Sequence, residues 1–183
     1  MVSTEAHGFA DRALNRVQQG LRGLFAFALH LDLDLAARTL TPQQLALFQQ
    51  MTRGEQLHSL NVLRDVQAQG ATPSDLAVAA LMHDVGKSRY PMRVWQKTLV
   101  VLVRELAEPI YLKITRSSER NWFARPFIVG ERHAKWGADL LRDIGANERI
   151  VWLVAHHDKN PEKLRDHPDH ALLLRLQQAD AAN

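Results

Sequence analysis

The 183-residue chain contains no cysteine. That single absence excludes a disulfide framework, a thiolate zinc site, an iron–sulfur cluster and a cysteine nucleophile. Any metal must therefore be held by histidine and carboxylate, and nine histidines are present. Glycine and proline are sparse, at 9 and 7 residues, and no Gly/Ser linker, low-complexity tract or internal repeat divides the chain. Long apolar runs are missing too. The run of large aliphatic side chains from Leu99 to Val103 is five residues, against the roughly 20 apolar residues that a bilayer-spanning helix needs. The opening Met-Val-Ser-Thr-Glu-Ala-His has neither the basic nor the apolar region of a secretory leader. A cytoplasmic protein with no membrane partner is the expectation.

What is present is ordinary for a globular domain: 46% hydrophobic and 23% charged residues. A chain of this length buries roughly 70% of its unfolded surface and needs no staple to hold a core. The net charge of +3 is unevenly spread. Residues 85–135 hold 11 Lys/Arg and 4 Asp/Glu, a net +7, while the rest of the chain is net −4. A basic segment in a mildly acidic body fits either a solvated helix face or an anionic partner. No groove-reading motif is present, so a nucleic-acid partner is not expected.

The hydrophobic pattern is helical almost throughout, and an all-α, single-domain helical bundle is expected. Thr41-Pro42 reads as an N-cap followed by proline in the first turn, and Thr72-Pro73 reads the same way. Between them a helix over about 55–69 is closed by Gly70. A long helix is expected over 95–108, ended or kinked by Pro109, with an irregular stretch at 116–130 after it. Helices should resume over about 131–144, 148–157 and 168–182. In the N-terminal part, helices are expected near 9–17 and 24–31. The division expected is an N-terminal helical segment over 1–54 packed on a metal-binding helical domain over 55–183, together one compact domain. The 95–108 helix is apolar nearly all round and is read as core, the alternative being a homodimer face.

Five histidines fall in order along these helices: His58, His83, His133, and the pair His156-His157. His83 is followed by Asp84, Val85, Gly86 and Lys87, and Asp180 lies near the end of the chain. Neutral imidazole and ionised carboxylate are the ligands that a borderline divalent cation takes when thiolates are absent. A carboxylate has two oxygens and can bridge two ions, which makes Asp84 the candidate bridge. Gly86 is read as letting the backbone turn sharply away, leaving Lys87 near the metals as a point charge suited to phosphate. Other basic candidates for holding the rest of a substrate are Arg89, Arg93, Arg120 and Arg125. His7, His30, His167 and His170 lie outside the pattern. Trp122 and Phe123, beside Arg120 and Arg125, are read as anchors of the irregular stretch, with base stacking as the less favoured role.

At His58, His83-Asp84 and Asp180 the sequence resembles the HD-domain superfamily of metal-dependent phosphohydrolases, and His-Asp-Val-Gly-Lys resembles its HD-IG subset. His133, Gly137, Leu140-Leu141 and His156-His157 resemble the extra histidines of multi-metal members such as the HD-GYP type. The Gly-Tyr-Pro loop is missing, because Lys159-Asn160-Pro161 follows Asp158. The resemblance implies that His58, His83, Asp84 and Asp180 hold one ion. It implies that Asp84 bridges to a second held by His133 and His156, with His157 on that ion, on a third, or behind them. It further implies two divalent ions (Mn, Fe, Ni or Co). The activity implied is hydrolysis of a phosphomonoester or phosphodiester, nucleotides included, by a metal-bridging hydroxide, with Asp84 and Lys87 as catalytic residues. The same order also occurs in HD-fold mixed-valent di-iron oxygenases, and a non-catalytic nucleotide-binding or regulatory module is the third reading.

Overall fold

The computed structural model describes residues 30–183. The expected helices near 9–17 and most of 24–31, and His7, lie outside the described residues. Among those described there are nine α-helices, two short 3-10 segments and no strand. The helices are α1 Leu33–Thr39, α2 Pro42–Phe48, α3 Arg53–Ala68, α4 Ser74–Met82, α5 Val94–Leu106, α6 Glu108–Thr115, α7 Arg125–Asp143, α8 Glu148–His156 and α9 His170–Ala181. The 3-10 segments are Val85–Arg89 and Pro161–Leu164.

The centre of the fold is α4. Its last seven residues, Leu76 to Met82, are all apolar and all buried. A helix with no polar stripe must be surrounded, and α4 packs against α1, α2, α3, α8 and α9. Its C-terminus therefore ends inside the molecule, which carries His83 and Asp84 into the interior at 1% and 3% exposure. Residues Ala36, Leu40, Phe48 and Met51 of the N-terminal segment join the same core as α4, α8 and α9.

Several local signals act as read. Thr41 caps α2 through the Gln44 amide, and Thr52 forms a reciprocal box with Glu55 at the start of α3. Gly70 closes α3 with φ +125, a conformation that favours glycine. Others differ. Thr72 does not cap α4: its hydroxyl donates back to the carbonyls of Val66 and Gly70. Pro109 does not end the preceding helix; it sits in the first turn of α6, as Pro126 does in α7, where the missing N–H costs no bond. The irregular stretch is thus shorter than expected, and α7 runs through Gly130.

The α5 surface is also different from the expectation of core. Val100 is buried, but Trp95, Leu99, Leu102 and Leu106 are exposed, at 57, 42, 50 and 70%. Two small clusters hold the α5–α6 insert to α7: Val100, Tyr111 and Phe127 in one, and Ile114 packed with Tyr90 and Met92 on Ala124, Ile128, Val129 and Trp136 in the other. No described helix is long and apolar enough to cross a membrane.

Candidate metal centre

Four elements deliver the histidines to one point. His58 comes from the middle of α3, His83 from the C-terminal end of α4, His133 from α7 and His157 from the residue after α8. Asp84 stands between them with 4% of its side chain exposed. Its Oδ2 lies 3.5 Å from His83 Nε2 and 4.0 Å from His58 Nε2. Its Oδ1 lies 3.5 Å from His133 Nε2 and 3.8 Å from His157 Nε2. One carboxylate thus turns one oxygen to each of two ligand groups, His58-His83-Asp84 and Asp84-His133-His157. Asp180, from the last turn of α9, completes the first group: its Oδ1 is 2.9 Å from His58 Nε2 and 3.5 Å from His83 Nε2. Lys87 Nζ lies 2.6 Å from Asp84 Oδ2.

The imidazoles are fixed in one orientation by their other nitrogens. His83 Nδ1 donates to the Ala80 carbonyl at 2.9 Å, His133 Nδ1 to Val129 at 3.1 Å, and His157 Nδ1 to Val154 at 2.8 Å. With one proton held at Nδ1, each ring turns its Nε2 to the centre, as a metal ligand must. His83 Nε2 is buried and has no hydrogen-bond partner. His133 Nε2 and His157 Nε2 face each other at 3.2 Å. Two lone pairs at that distance repel, but two nitrogens each about 2.1 Å from a shared ion at a tetrahedral or octahedral angle lie roughly 3.0–3.4 Å apart. The donor set therefore fits divalent ions of the nitrogen/oxygen-loving kind.

Electrostatics agree. Burial favours a protonated Asp84, but Lys87, His83 and His133 hold its carboxyl well below the usual range. Burial likewise works against an ionised Asp180, and the hydrogen bond from His58 with the nearby His83 ring outweighs it, lowering that carboxyl far below normal. Burial depresses His133, with Lys87 adding to it, and burial with the neighbouring His83 and His133 brings His157 down to about 4. Both rings of the second group are neutral at pH 7. His83 goes the other way. Burial would strip its proton, but the Asp84 and Asp180 carboxylates overcome it and raise the ring to about 9. A metal ion would take that proton's place.

The family comparison agrees with this geometry. A family model described as HD domain matches residues 57–182. The chain belongs to the HD-domain family. No curated protein and no solved structure matches it significantly. The all-helical architecture is that of an HD domain, and the His/Asp clusters support a metal-binding member of the family.

Six of the seven expected ligands meet here; His156 does not. It is the last residue of α8, its Nδ1 donates to Trp152 at 2.7 Å, and its ring packs on the Trp152 indole at 4.8 Å. Neighbouring residues at a helix end point about 100° apart, so only one of the pair turns inward, and that one is His157. Gly86 also acts differently from the expectation. Its φ is not in the left-handed region. A Cβ there would lie 2.0 Å from the His133 carbonyl oxygen and 2.6 Å from the Gly137 nitrogen. Gly86 is a point of backbone contact between the 3-10 segment and α7, which sets Asp84 against His133.

The remaining expected residues lie outside the ligand groups. Arg89, Arg120 and Arg125 line cavities beside the insert. Arg93 precedes α5, where its N–H donates to Gln96 Oε1 at 2.8 Å. His167 stacks on Trp152 at 3.6 Å, and His170 is half-buried. Two contacts near the site had no sequence signal. Asn183 donates to Asp65 at 2.6 Å, tying the end of α9 to α3. Lys97 of α5 pairs with the buried Glu55 at 2.8 Å, one turn before His58.

Proposed function

We propose that this HD-domain protein is a metal-dependent phosphohydrolase that acts on a phosphorylated small molecule or nucleotide in the cytoplasm. The observation that carries the reading is the Asp84 carboxylate, with one oxygen turned to each ligand group and Lys87 beside it. His58, His83, Asp84 and Asp180 would hold one divalent ion, and Asp84, His133 and His157 a second. When bound, such ions supply an acidified water at neutral pH and neutralise charge on phosphoryl oxygens.

The residues themselves do the rest. Asp84 orients both groups and stays ionised. The Nδ1–H bonds of His83, His133 and His157 to main-chain carbonyls keep those rings from turning. Lys87 is held charged: burial opposes this, but the Asp84 carboxylate outweighs it. It offers a cation for a phosphate oxygen without itself reacting. The two groups differ in access. His58, Asp180 and Lys87 are 27, 32 and 24% exposed at the side chain, while His133 and His157 are 9 and 3%. Substrate approaches across the first group, and the second lies behind it.

The test is a panel of p-nitrophenyl phosphate, bis(p-nitrophenyl) phosphate and nucleotides, run with Mn, Fe, Ni and Co. Hydrolysis should require metal and disappear in Asp84→Asn. Full phosphatase activity in that variant would remove the site from the reaction. A panel with no turnover, together with a mixed-valent iron signal, would favour oxygenase chemistry.

A further inference from the structure

The insert carries a second feature, which contains none of the metal ligands. An open surface cavity of about 640 Å³, shallow rather than enclosed, is lined by Tyr90, Arg116, Arg120, Arg125, Arg132 and Glu119, with two serines. A smaller cavity of about 310 Å³ shares Tyr90 and Arg125 and is walled by Pro91, Met92, Gln96 and Trp122, with Arg89 at its edge. Five guanidinium groups thus surround one carboxylate, a local excess of four positive charges. Glu119 is already used, by Arg132 at 3.1 Å and Arg89 at 3.3 Å. Among the described residues Arg116 and Arg120 are exposed, and their guanidinium groups form no ion pair.

The other arginines are held in place. Arg125 Nε donates to the Glu119 carbonyl at 2.9 Å, and its guanidinium lies 5.0 Å over the Tyr90 ring. Arg89 lies 4.9 Å over Trp136. Fixed guanidinium forks lose little freedom on meeting an anion, and they match the oxygens of phosphate. An isolated phosphate would leave most of this charge unmatched, whereas a triphosphate carries about as many negative charges as the cavity lacks. The adjoining cavity is of a different kind. Trp122 is 60% exposed, with the Phe123 ring packed against it at 3.6 Å. Gln96 supplies an amide there, and Pro91 and Met92 supply apolar walls. An aromatic platform beside a phosphate cradle fits a nucleobase.

We propose that these two joined cavities bind a nucleoside triphosphate, phosphates among the arginines and base on Trp122, at a site separate from the metal centre. This binding does not depend on the hydrolase reading.

The test is calorimetric titration of the full chain with ATP and, separately, with inorganic triphosphate. Arg116 and Arg120 are the residues to reverse, because neither anchors the fold. Arg116→Glu with Arg120→Glu should weaken both probes at least about 30-fold. Trp122→Ala should weaken ATP about tenfold and leave inorganic triphosphate unchanged. Asp84→Asn should keep the ATP binding that the arginine reversal removes, which separates this site from the metal centre. Three results would overturn the proposal: no ATP binding at millimolar concentration, ATP binding lost in Asp84→Asn but kept in the arginine variant, or a short single-stranded RNA binding far more tightly than ATP. Equal affinity for ATP and inorganic triphosphate in every variant would overturn the nucleoside part.

Discussion

Replacing Gly86 with alanine perturbs the metal centre through the backbone alone. The added methyl would stand 2.0 Å from the His133 carbonyl oxygen, 2.6 Å from the Gly137 nitrogen and 2.9 Å from the His133 carbonyl carbon. All three are main-chain atoms of α7, so no side chain can swing aside. Ordinary contact begins near 3.4 Å, so the 3-10 segment and α7 must part by about 1.4 Å (3.4 minus 2.0) to relieve the closest contact. Overpacking costs about 1–3 kcal/mol where side chains can shift, and a backbone clash belongs at or above that upper end. For a chain of this size, about 3 kcal/mol lowers the melting temperature by roughly 6–12 °C. The functional effect follows from which residue is struck. His133 presents its Nε2 3.5 Å from Asp84 Oδ1, and metal–ligand distances tolerate only about 0.2 Å. Parting α7 from Asp84 dismantles the second group, while the first, built from α3, α4 and α9, keeps its members. Scanning calorimetry with elemental mass spectrometry should find a lower melting temperature and one ion per chain instead of two. An unchanged melting temperature with two ions bound would refute the reasoning.

Lys87→Met should lower hydrolysis about 10²-fold while leaving metal content unchanged, since the ammonium is not a ligand; metal loss in that variant would make its role structural. The metal-stripped protein should carry a pH dependence from His83, whose ring is raised from 6.5 to about 9. A raised folded pKa gives stability that is complete below about 6.5 and is lost as pH rises through about 9, a change on the order of 3 kcal/mol. Melting of the stripped chain should therefore fall between pH 6.5 and 9, and melting of the loaded chain should fall much less; two parallel curves would contradict this. Arg175 of α9 donates to Ala71 at 2.8 Å and Val66 at 3.0 Å, locking α9 to the end of α3. Arg175→Met should cost about 2 kcal/mol in urea unfolding, and a loss under about 0.5 kcal/mol would show that the lock is not needed.

Ligand identity was legible wherever it rested on residue type and order. His58, His83, Asp84, His133 and Asp180 could be read as candidates because their order resembles the HD-domain pattern; the absent thiol by itself narrows the choice only to imidazole and carboxylate. The sequence could not separate His156 from His157. That choice depends on the angle at which α8 ends, and Trp152, which takes up His156, looks like any core aromatic. Gly86 misled for a related reason. A glycine needed for close approach and a glycine needed for a turn are the same letter, and only the backbone of α7 distinguishes them. Most of the helical pattern was readable from periodicity and caps, but Pro109, read as ending or kinking the 95–108 helix, stands in the first turn of the next one. The exposed stripe of Trp95, Leu99, Leu102 and Leu106 shows the limit of composition: a helix apolar nearly all round was expected inside, yet α5 packs on α7 along only one side. Arg89, Arg120, Arg125 and the net +7 could be read from the sequence, but not their meeting with Arg116 and Arg132, because these residues come together only through folding of the insert.

The central claim is that one carboxylate, Asp84, serves two ligand groups. The direct test is metal content per chain, measured by elemental mass spectrometry on protein purified without chelator or affinity histidines, alongside Asp84→Asn. Two divalent ions per chain, both lost in the variant, is the result expected. A chain that takes up no ion on titration, or a variant that keeps the full complement, would contradict it.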